Sequence, residues 1–227
     1  MKKLFTVLLT IFVSMNLQAQ INIYSHRHYE SDKILFKKFT DQTGIKINVI
    51  KGSADQLIER LVSEGNNSPA DILLTVDAGR LYRAKAAGIL QPVESKKMYE
   101  NVPSSMRDPD GYWFGLTVRA RVLVYSKERV KPSQLSTYED LATRKWRGKI
   151  AVRSSSNIYN QSFMASMIEA NGSRKALSWA KSVRKNMARA PRGSDRDQAR
   201  AVAAGLADVA IMNTYYLGIL ANSSDAK

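Results

Sequence analysis

Three short apolar segments alternate with three amphipathic segments in the first part of the chain, and this order constrains the fold more than any other feature. The apolar segments are INIYS (21–25), IKINVI (45–50) and DILLTV (71–76). Each is followed by a stretch with apolar residues at helical spacing that ends at a glycine: Gly44, Gly65 and Gly88. Strands and helices in this alternation are typical of an α/β domain with a largely parallel sheet and helices on both faces.

Helix-start signals support these assignments. Ser53 and Gln56 have the spacing of a capping box, in which each residue satisfies a backbone N–H at the start of a helix. Asp77 directly precedes the third helical stretch and is predicted to cap it.

A second α/β series follows a polar, proline-containing stretch at 91–112. Val118, Ala120, Val122 and Val124 alternate with Thr117, Arg119, Arg121 and Leu123, which predicts a strand with one covered and one wetter face. Further helix starts are predicted at Ser136–Glu139 and at Ser194, and further strands at 149–153 and 207–212. We therefore expect an N-terminal α/β lobe over 20–117 and a C-terminal lobe over 118–227, with the strand at 118–125 as the crossing.

The first 19 residues have the pattern of a secretory signal peptide. Lys2 and Lys3 precede an apolar run from Leu4 to Val13, and LQA at Leu17–Ala19 fits a cleavage site. The chain contains no cysteine, so we expect no disulfide, no thiolate metal site and no lipid-modified N-terminal cysteine. These features predict a periplasmic protein without a lipid anchor.

The chain is strongly basic, with 35 Lys and Arg against 20 Asp and Glu and a formal net charge of +15. The densest basic runs, at 144–149 and 182–196, lack interleaved aromatic residues that could stack on bases. Together with export, this argues against a nucleic-acid partner. A basic surface remains compatible with an anionic ligand or a negatively charged partner.

Polar residues with oxygen and nitrogen donors follow several predicted strands. In open α/β sheets, ligands bind beyond the carboxyl ends of the strands. Tyrosines follow three of these predicted strands, and the three strands belong to two predicted lobes. This distribution favours a binding site in the cleft between the lobes. These residues are His26, Arg27, His28 and Tyr29 after the first strand, Tyr159 after the strand at 149–153, and Tyr215 and Tyr216 after the strand at 207–212.

A group of tyrosines favours a small, highly charged cation. The ordinary pKa of tyrosine lies near 10, so several phenols lose their protons at neutral pH only beside a strong positive charge. Calcium and magnesium prefer carboxylates and carbonyls. Ferric iron is a trivalent cation that prefers hard oxygen donors, although separately packed tyrosines with satisfied hydroxyls are the alternative.

Catalytic signatures are missing from the sequence. His26 and His28 could be two zinc ligands, but the chain has no third histidine and no cysteine to complete a zinc site. No metalloprotease, nucleophile-elbow or phosphate-loop motif occurs. We therefore expect a binding protein and not an enzyme.

Several stretches resemble the periplasmic ferric-iron-binding proteins of ABC importers, a tyrosine-rich, transferrin-like family of solute-binding proteins. The matching stretches are YSHRHYESD (24–32), SPADILLTVDAGRLYRAKAAGILQPV (68–93), DGYWFGLTVRARVLVYS (110–126), IAVRSSSNIYNQS (150–162) and GLADVAIMNTYY (205–216). The resemblance implies a two-lobed, hinged periplasmic-binding-protein fold. It also implies a monomer that binds one Fe(3+) and delivers it to an ABC permease in the inner membrane.

The same resemblance implies the residues of the site. Its tyrosine ligands fall on Tyr29, Tyr159, Tyr215 and Tyr216, and its variable histidine ligand falls on His28. We expect a structural or surface role for His26.

Further residues are candidates for charge balance and orientation. Arg27 and Arg119 could offset the phenolate charge or hold a small synergistic anion such as carbonate, and Asn160 could orient a phenolate. An ordinary exposed arginine is the alternative for each arginine. The same fold binding an oxyanion or an organic phosphate is the alternative cargo.

Members of the family continue by roughly a third of their length beyond the paired tyrosines, whereas this sequence ends at ANSSDAK. We therefore expect a C-terminally truncated lobe that lacks the return crossing.

Overall fold

The computed structural model describes residues 19–27 and 29–222. The chain divides into two compact units, one up to residue 76 and one from residue 77 onward. The lobe boundary expected at residues 117/118 from the sequence stays a prediction.

The first unit is a three-stranded α/β unit, as the sequence predicts. All three strands are parallel, in the order β2-β1-β3. The central strand, β1, carries the buried residues Ile23 and Tyr24, and Leu57 and Leu61 of α2 are also buried. The elements are β1 (Gln20–Ser25), α1 (Glu30–Thr43), β2 (Lys46–Lys51), α2 (Ala54–Glu64) and β3 (Ile72–Leu74).

The helix signals in this unit are confirmed. Ser53 Oγ accepts the Gln56 N–H and the Gln56 side chain accepts the Ser53 N–H, so the capping box is complete. Gly44 ends α1 with a φ of 71°, a left-handed conformation that favours glycine. Ile34 and Leu35 of α1 are 69% and 62% exposed, so the apolar face predicted for this helix is not buried within its own unit.

The second unit is built on a mixed sheet. Strand β6 lies in the centre, antiparallel to β4 and parallel to β5. The elements are α3 (Ala78–Ala86), α4 (Lys96–Asn101), β4 (Arg121–Tyr125), β5 (Ile150–Ala151), α5 (Ile158–Asn171), α6 (Ser173–Asn186), α7 (Asp195–Ala203), β6 (Val209–Asn213) and α8 (Tyr215–Ala221).

The larger hydrophobic core lies in this unit and holds β6 in place. Every residue of β6 is buried. Trp146, Ile150 and Phe163 pack with Val209 and Ile211 in one cluster, while a smaller alanine-rich cluster packs around Ala210. A fully buried central strand fixes the position of the residues that follow its carboxyl end.

Three local predictions differ from the structure. The strand predicted at 118–125 is confined to Arg121–Tyr125, and Val118 is 73% exposed. The helix start at Ser136–Glu139 leads only to a one-turn 3-10 helix, Glu139–Ala142. The polar stretch at 91–112 contains a short helix, α4, which Ser95 caps by accepting the Met98 N–H.

Within the described ranges, no helix is long and apolar enough to cross a membrane. The predicted signal peptide lies outside the described residues, apart from Ala19.

Candidate functional site

Two tyrosines stand at the start of the helix that follows the central strand of the second unit. Strand β6 ends at the completely buried Asn213, and α8 begins two residues later at Tyr215. The ring centroids of Tyr215 and Tyr216 are 4.3 Å apart with an interplanar angle of 35°. The two phenol rings therefore lie next to each other just beyond the carboxyl end of the buried strand β6.

Tyr159 lies near this pair of tyrosines but belongs to another element, α5. It lies in the first turn of α5, where Asn157 Oδ1 accepts the Tyr159 N–H at 3.0 Å and caps the helix. Tyr216 and Tyr159 both act on the pKa of Tyr215 through their side chains, so the three side chains lie close together. The structure thus brings together three of the predicted ligands, called here the tyrosine cluster: Tyr159, Tyr215 and Tyr216.

Burial favours the neutral phenol form of Tyr215 and Tyr216. Burial is the main cause that raises the pKa of Tyr215 to about 12, and the hydrogen bond to Tyr216 raises it further. Burial also raises the pKa of Tyr216, and the negative charge of Asp195 acts in the same direction, while the side chain of Tyr215 lowers it. Any cation that binds phenolate oxygens here must displace protons.

Arginines lie against the rings of the tyrosine cluster. The guanidinium carbons of Arg119 and Arg153 lie 4.4 Å and 5.4 Å from the centroid of the Tyr159 ring. That of Arg196 lies 5.7 Å from the Tyr216 ring. Positive charge at these distances favours the phenolate form of the tyrosines over the phenol.

Arg119 is held by Asp77. The Arg119 Nη2 donates to Asp77 Oδ2 at 2.7 Å, and the other carboxylate oxygen accepts the Gly79 N–H and the Ser162 hydroxyl. Asp77 has a φ of 82°, an uncommon conformation for a residue with a side chain. Asp77 therefore caps α3, as predicted, and also positions Arg119 over Tyr159.

A buried polar network lies next to the tyrosine cluster. The Asp195 carboxylate is completely buried and accepts from Arg121 Nη1 at 2.7 Å, from Arg153 Nη1 at 3.3 Å and from the Asn213 N–H at 2.9 Å. The Arg121 side chain is only 10% exposed and also donates to the side-chain oxygens of Asn213 and Asn160. Burial lowers the pKa of Arg121, whereas the neighbouring Asp195 charge raises it.

Asn160 has contacts that differ from its expected role. Its amide nitrogen donates to the Arg153 carbonyl at 2.7 Å, and its oxygen accepts from Arg121. These contacts lead to the buried network, so the suggestion that Asn160 orients a phenolate stays a prediction.

The remaining sequence candidates belong to the first unit. Arg27 pairs with Asp32 at 2.9 Å, and its guanidinium carbon lies 5.0 Å from the centroid of the Tyr29 ring. Tyr29 directly precedes α1. His28 lies outside the described residues, so its role as a ligand, like that of Tyr29, stays a prediction.

The candidate donors in the tyrosine cluster are phenols. Among residues 19–27 and 29–222, no group of three or more His, Cys, Asp or Glu side chains could hold a metal ion. Phenolate oxygens are hard, anionic donors that suit a trivalent cation better than calcium or magnesium, which prefer carboxylates and carbonyls.

Residues 67–227 match a family model described as bacterial extracellular solute-binding protein. The chain belongs to this family. This agrees with the resemblance recognised in the sequence.

Individual relatives are similar over most of the chain. Iron uptake protein A1 of Synechocystis sp. is 55% identical over 208 residues, which cover 92% of this chain and 58% of that protein. A Trichodesmium structure, IdiA (FutA) in complex with iron and citrate ligands, is 54% identical with a TM-score of 0.89 and is matched over 92% of this chain and 66% of its own. The ferric-binding protein from Campylobacter jejuni is 47% identical with a TM-score of 0.83, over 91% of this chain and 66% of its own.

These similarities confirm the predicted fold class, an α/β fold of the periplasmic-binding-protein type. The chain spans 58% of the length of Iron uptake protein A1 and about two thirds of the length of the matched structures.

Proposed function

We infer that this chain is the iron-binding part of a periplasmic solute-binding protein, and that it binds Fe(3+) through tyrosine phenolates. The observation that carries this proposal is the convergence of Tyr159, Tyr215 and Tyr216, which come from two separate elements. The rings of Tyr215 and Tyr216 lie 4.3 Å apart, and Tyr159 is close enough to act on the pKa of both. Tyrosines that pack for structural reasons alone have no need to gather at the end of one strand.

Charge balance supports a trivalent cargo. Three phenolates cancel the charge of one ferric ion, whereas a divalent ion would leave an excess negative charge in a half-buried site. Arg119 and Arg153 lie against Tyr159 and would stabilise its phenolate form. A fourth phenolate from Tyr29, together with His28, is predicted from the sequence as an addition to this set, with Arg27 as a candidate to offset the extra charge.

The relatives support the same cargo. The relative from Synechocystis sp. is named for iron uptake, and the Trichodesmium structure contains iron and citrate. The family consists of extracellular solute-binding proteins, which supports a periplasmic location and a transport role over an enzymatic one. Delivery to an ABC permease, export by the signal peptide without a lipid anchor, a monomeric state and a carbonate-like anion in the shell belong to the same proposal.

The decisive experiment is metal analysis of the purified chain together with its visible spectrum after addition of ferric citrate. Phenolate-to-iron charge transfer absorbs visible light, so we expect a coloured complex with one iron per chain. A chain that binds an oxyanion or organic phosphate and stays colourless with ferric citrate would overturn the proposal.

A control variant separates specific from surface binding of iron. Tyr82 is 68% exposed and lies on α3, outside the tyrosine cluster. Tyr82→Phe should leave the colour and the stoichiometry unchanged. Colour that depends on Tyr82 as strongly as on Tyr159 would contradict a site formed by the tyrosine cluster.

A further inference from the structure

The two densest basic runs of the sequence, at 144–149 and 182–196, meet in the second unit although they are far apart in the chain. Asn186, the buried last residue of α6, joins them. Its side-chain amide donates to the Thr143 carbonyl at 2.8 Å, and its backbone carbonyl accepts the Lys149 N–H at 3.0 Å. The exposed cations on the two sides of this junction are called here the basic surface: Arg144, Lys145, Arg147, Lys149, Arg184 and Lys185.

Apolar residues inside each run turn these cations toward solvent. Trp146 and Val183 are each only 3% exposed and belong to the same hydrophobic cluster. Arg147 directly follows Trp146, and Arg184 directly follows Val183. Because the apolar residue of each run is fixed in the core, the charged residues beside it lie on the outside of the unit.

The charge of the basic surface is neutralised only in part by the protein itself. Lys145 pairs with Asp140 at 2.8 Å, and Lys149 lies 3.3 Å from Asp208. The other four cations have no ion pair with a carboxylate in the described ranges: Arg144, Arg147, Arg184 and Lys185. This surplus of positive charge attracts a partner that carries several negative charges.

The basic surface and the tyrosine cluster lie at opposite edges of the sheet. The run at 144–149 directly precedes β5, which pairs in parallel with β6 through Ile150 and Val209. It therefore lies at the amino ends of these strands, whereas Tyr215 and Tyr216 follow the carboxyl end of β6. A partner bound to the basic surface would leave the candidate ferric site uncovered.

Exposed leucines stand next to these cations. Leu177 is 53% exposed and precedes Arg184 by seven residues on α6, a spacing that puts both on one face of the helix. Leu206 is 60% exposed and stands two residues before Asp208, whose N–H donates to the Lys149 carbonyl at 2.8 Å. Basic residues with exposed apolar neighbours are typical of surfaces that bind at a membrane interface.

We propose that the basic surface binds the anionic phospholipid headgroups of a membrane. Guanidinium groups donate two parallel hydrogen bonds to phosphate oxygens, and the neighbouring leucines can enter the apolar boundary of the bilayer. A nucleic acid fits this surface less well, because Trp146 is buried and cannot stack on a base. The inference goes beyond ferric binding and does not depend on it.

Cosedimentation with lipid vesicles tests this proposal. The chain should bind vesicles of phosphatidylcholine that contain phosphatidylglycerol and should bind pure phosphatidylcholine vesicles far less. Binding should weaken as salt is added, because salt screens exposed charges. Arg144→Gln, Arg147→Gln and Arg184→Gln, introduced together, should weaken binding to the anionic vesicles by about fivefold for each cation removed.

A matched triple variant controls for net charge. Lys38, Lys46 and Lys51 are exposed cations of the first unit. Changing all three to glutamine removes the same net charge and should weaken vesicle binding much less. Circular dichroism should show both triple variants to be folded.

The outcomes separate this inference from the proposed function. Failure of the unchanged chain to bind anionic vesicles at low salt would overturn the membrane proposal, and so would equal losses in the two triple variants. Binding to DNA in place of vesicles, lost in the arginine variant, would assign the basic surface to nucleic acid and also overturn it. Ferric colour is read in a separate assay, so an unchanged chain that binds vesicles but stays colourless would refute only the proposed function.

Discussion

The rings of Tyr215 and Tyr216 lie only 4.3 Å apart although the two residues are consecutive in the chain and begin a helix. Successive residues of an α-helix point about 100° apart, so neighbours normally diverge. Here the pair lies at the carboxyl end of a completely buried strand, and Tyr159 acts on the pKa of both residues. The strand therefore supplies the rigid support on which the two phenols are presented together.

This arrangement predicts that Tyr215→Phe and Tyr216→Phe, introduced together, abolish the ferric colour. Phenylalanine keeps the ring volume and removes only the donor oxygen, so helix content should stay nearly the same by circular dichroism. The exposed Tyr82→Phe serves as the control for a general effect of removing a phenol. A double variant that still turns coloured with ferric citrate would show that the paired phenols are not ligands.

The raised pKa values predict a steep pH dependence of iron binding. Burial raises the pKa of Tyr215 to about 12 and also raises that of Tyr216, so both phenols hold their protons at neutral pH when no cation is bound. Each phenol that binds iron releases one proton, and apparent affinity should fall by about tenfold per pH unit for each proton released. Lowering the pH should therefore bleach the complex while circular dichroism still shows folded protein. Equal affinity at neutral and moderately acidic pH would point to carboxylate or carbonyl ligands.

Arg119 should contribute to iron affinity through its charge. Its guanidinium carbon lies 4.4 Å from the Tyr159 ring centroid, so removing the charge makes the phenolate of Tyr159 harder to form. We expect Arg119→Met to weaken ferric binding by about tenfold, equivalent to about 1.4 kcal/mol, and Arg119→Lys to weaken it less. Arg129 pairs with Asp208 away from the tyrosine cluster, so Arg129→Met is the control. Equal losses in the Met variants of Arg119 and Arg129 would count against a local charge effect.

Asp77 should stabilise the fold by two separate interactions. Asp77→Ala removes the cap on the Gly79 N–H and the ion pair with Arg119, and we expect the free energy of unfolding in urea to fall by about 2 kcal/mol. Asp77→Asn keeps a cap acceptor and tolerates a positive φ, so its loss should be smaller. Ser95→Ala removes a cap on α4 alone and should cost about 1 kcal/mol. If Asp77→Ala costs no more than Ser95→Ala, the pair with Arg119 contributes nothing to stability.

Local patterns in the sequence predicted the parts of this structure that depend on neighbours in the chain. The capping box of Ser53 and Gln56, the cap at Asp77 and the parallel order of the first three strands follow from residues a few positions apart, and all are confirmed. The tyrosines that follow β5 and β6 in the chain were singled out because parallel strands bring their carboxyl ends to one edge of a sheet.

The buried network could not be found in this way. Arg121 and Asp195 are 74 positions apart, and Arg121 meets Asn213 only because β4 pairs antiparallel with β6 in a register that places these two residues opposite each other. From the sequence, Arg121 belonged to an alternating strand with one wetter face, and an arginine there gave no reason to expect burial. The sequence did not show that this strand, β4, pairs antiparallel with β6. Once that pairing is known, its register places Arg121 opposite Asn213.

Resonance Raman spectroscopy of the ferric complex, excited within its visible band, tests the central claim most directly. Excitation of a phenolate-to-iron transition enhances the ring vibrations of the bound tyrosines. If Tyr159, Tyr215 and Tyr216 are the ligands, the unchanged chain should show enhanced tyrosinate vibrations, and the double variant Tyr215→Phe, Tyr216→Phe should lose them. A ferric complex of the unchanged chain without tyrosinate vibrations would contradict the account.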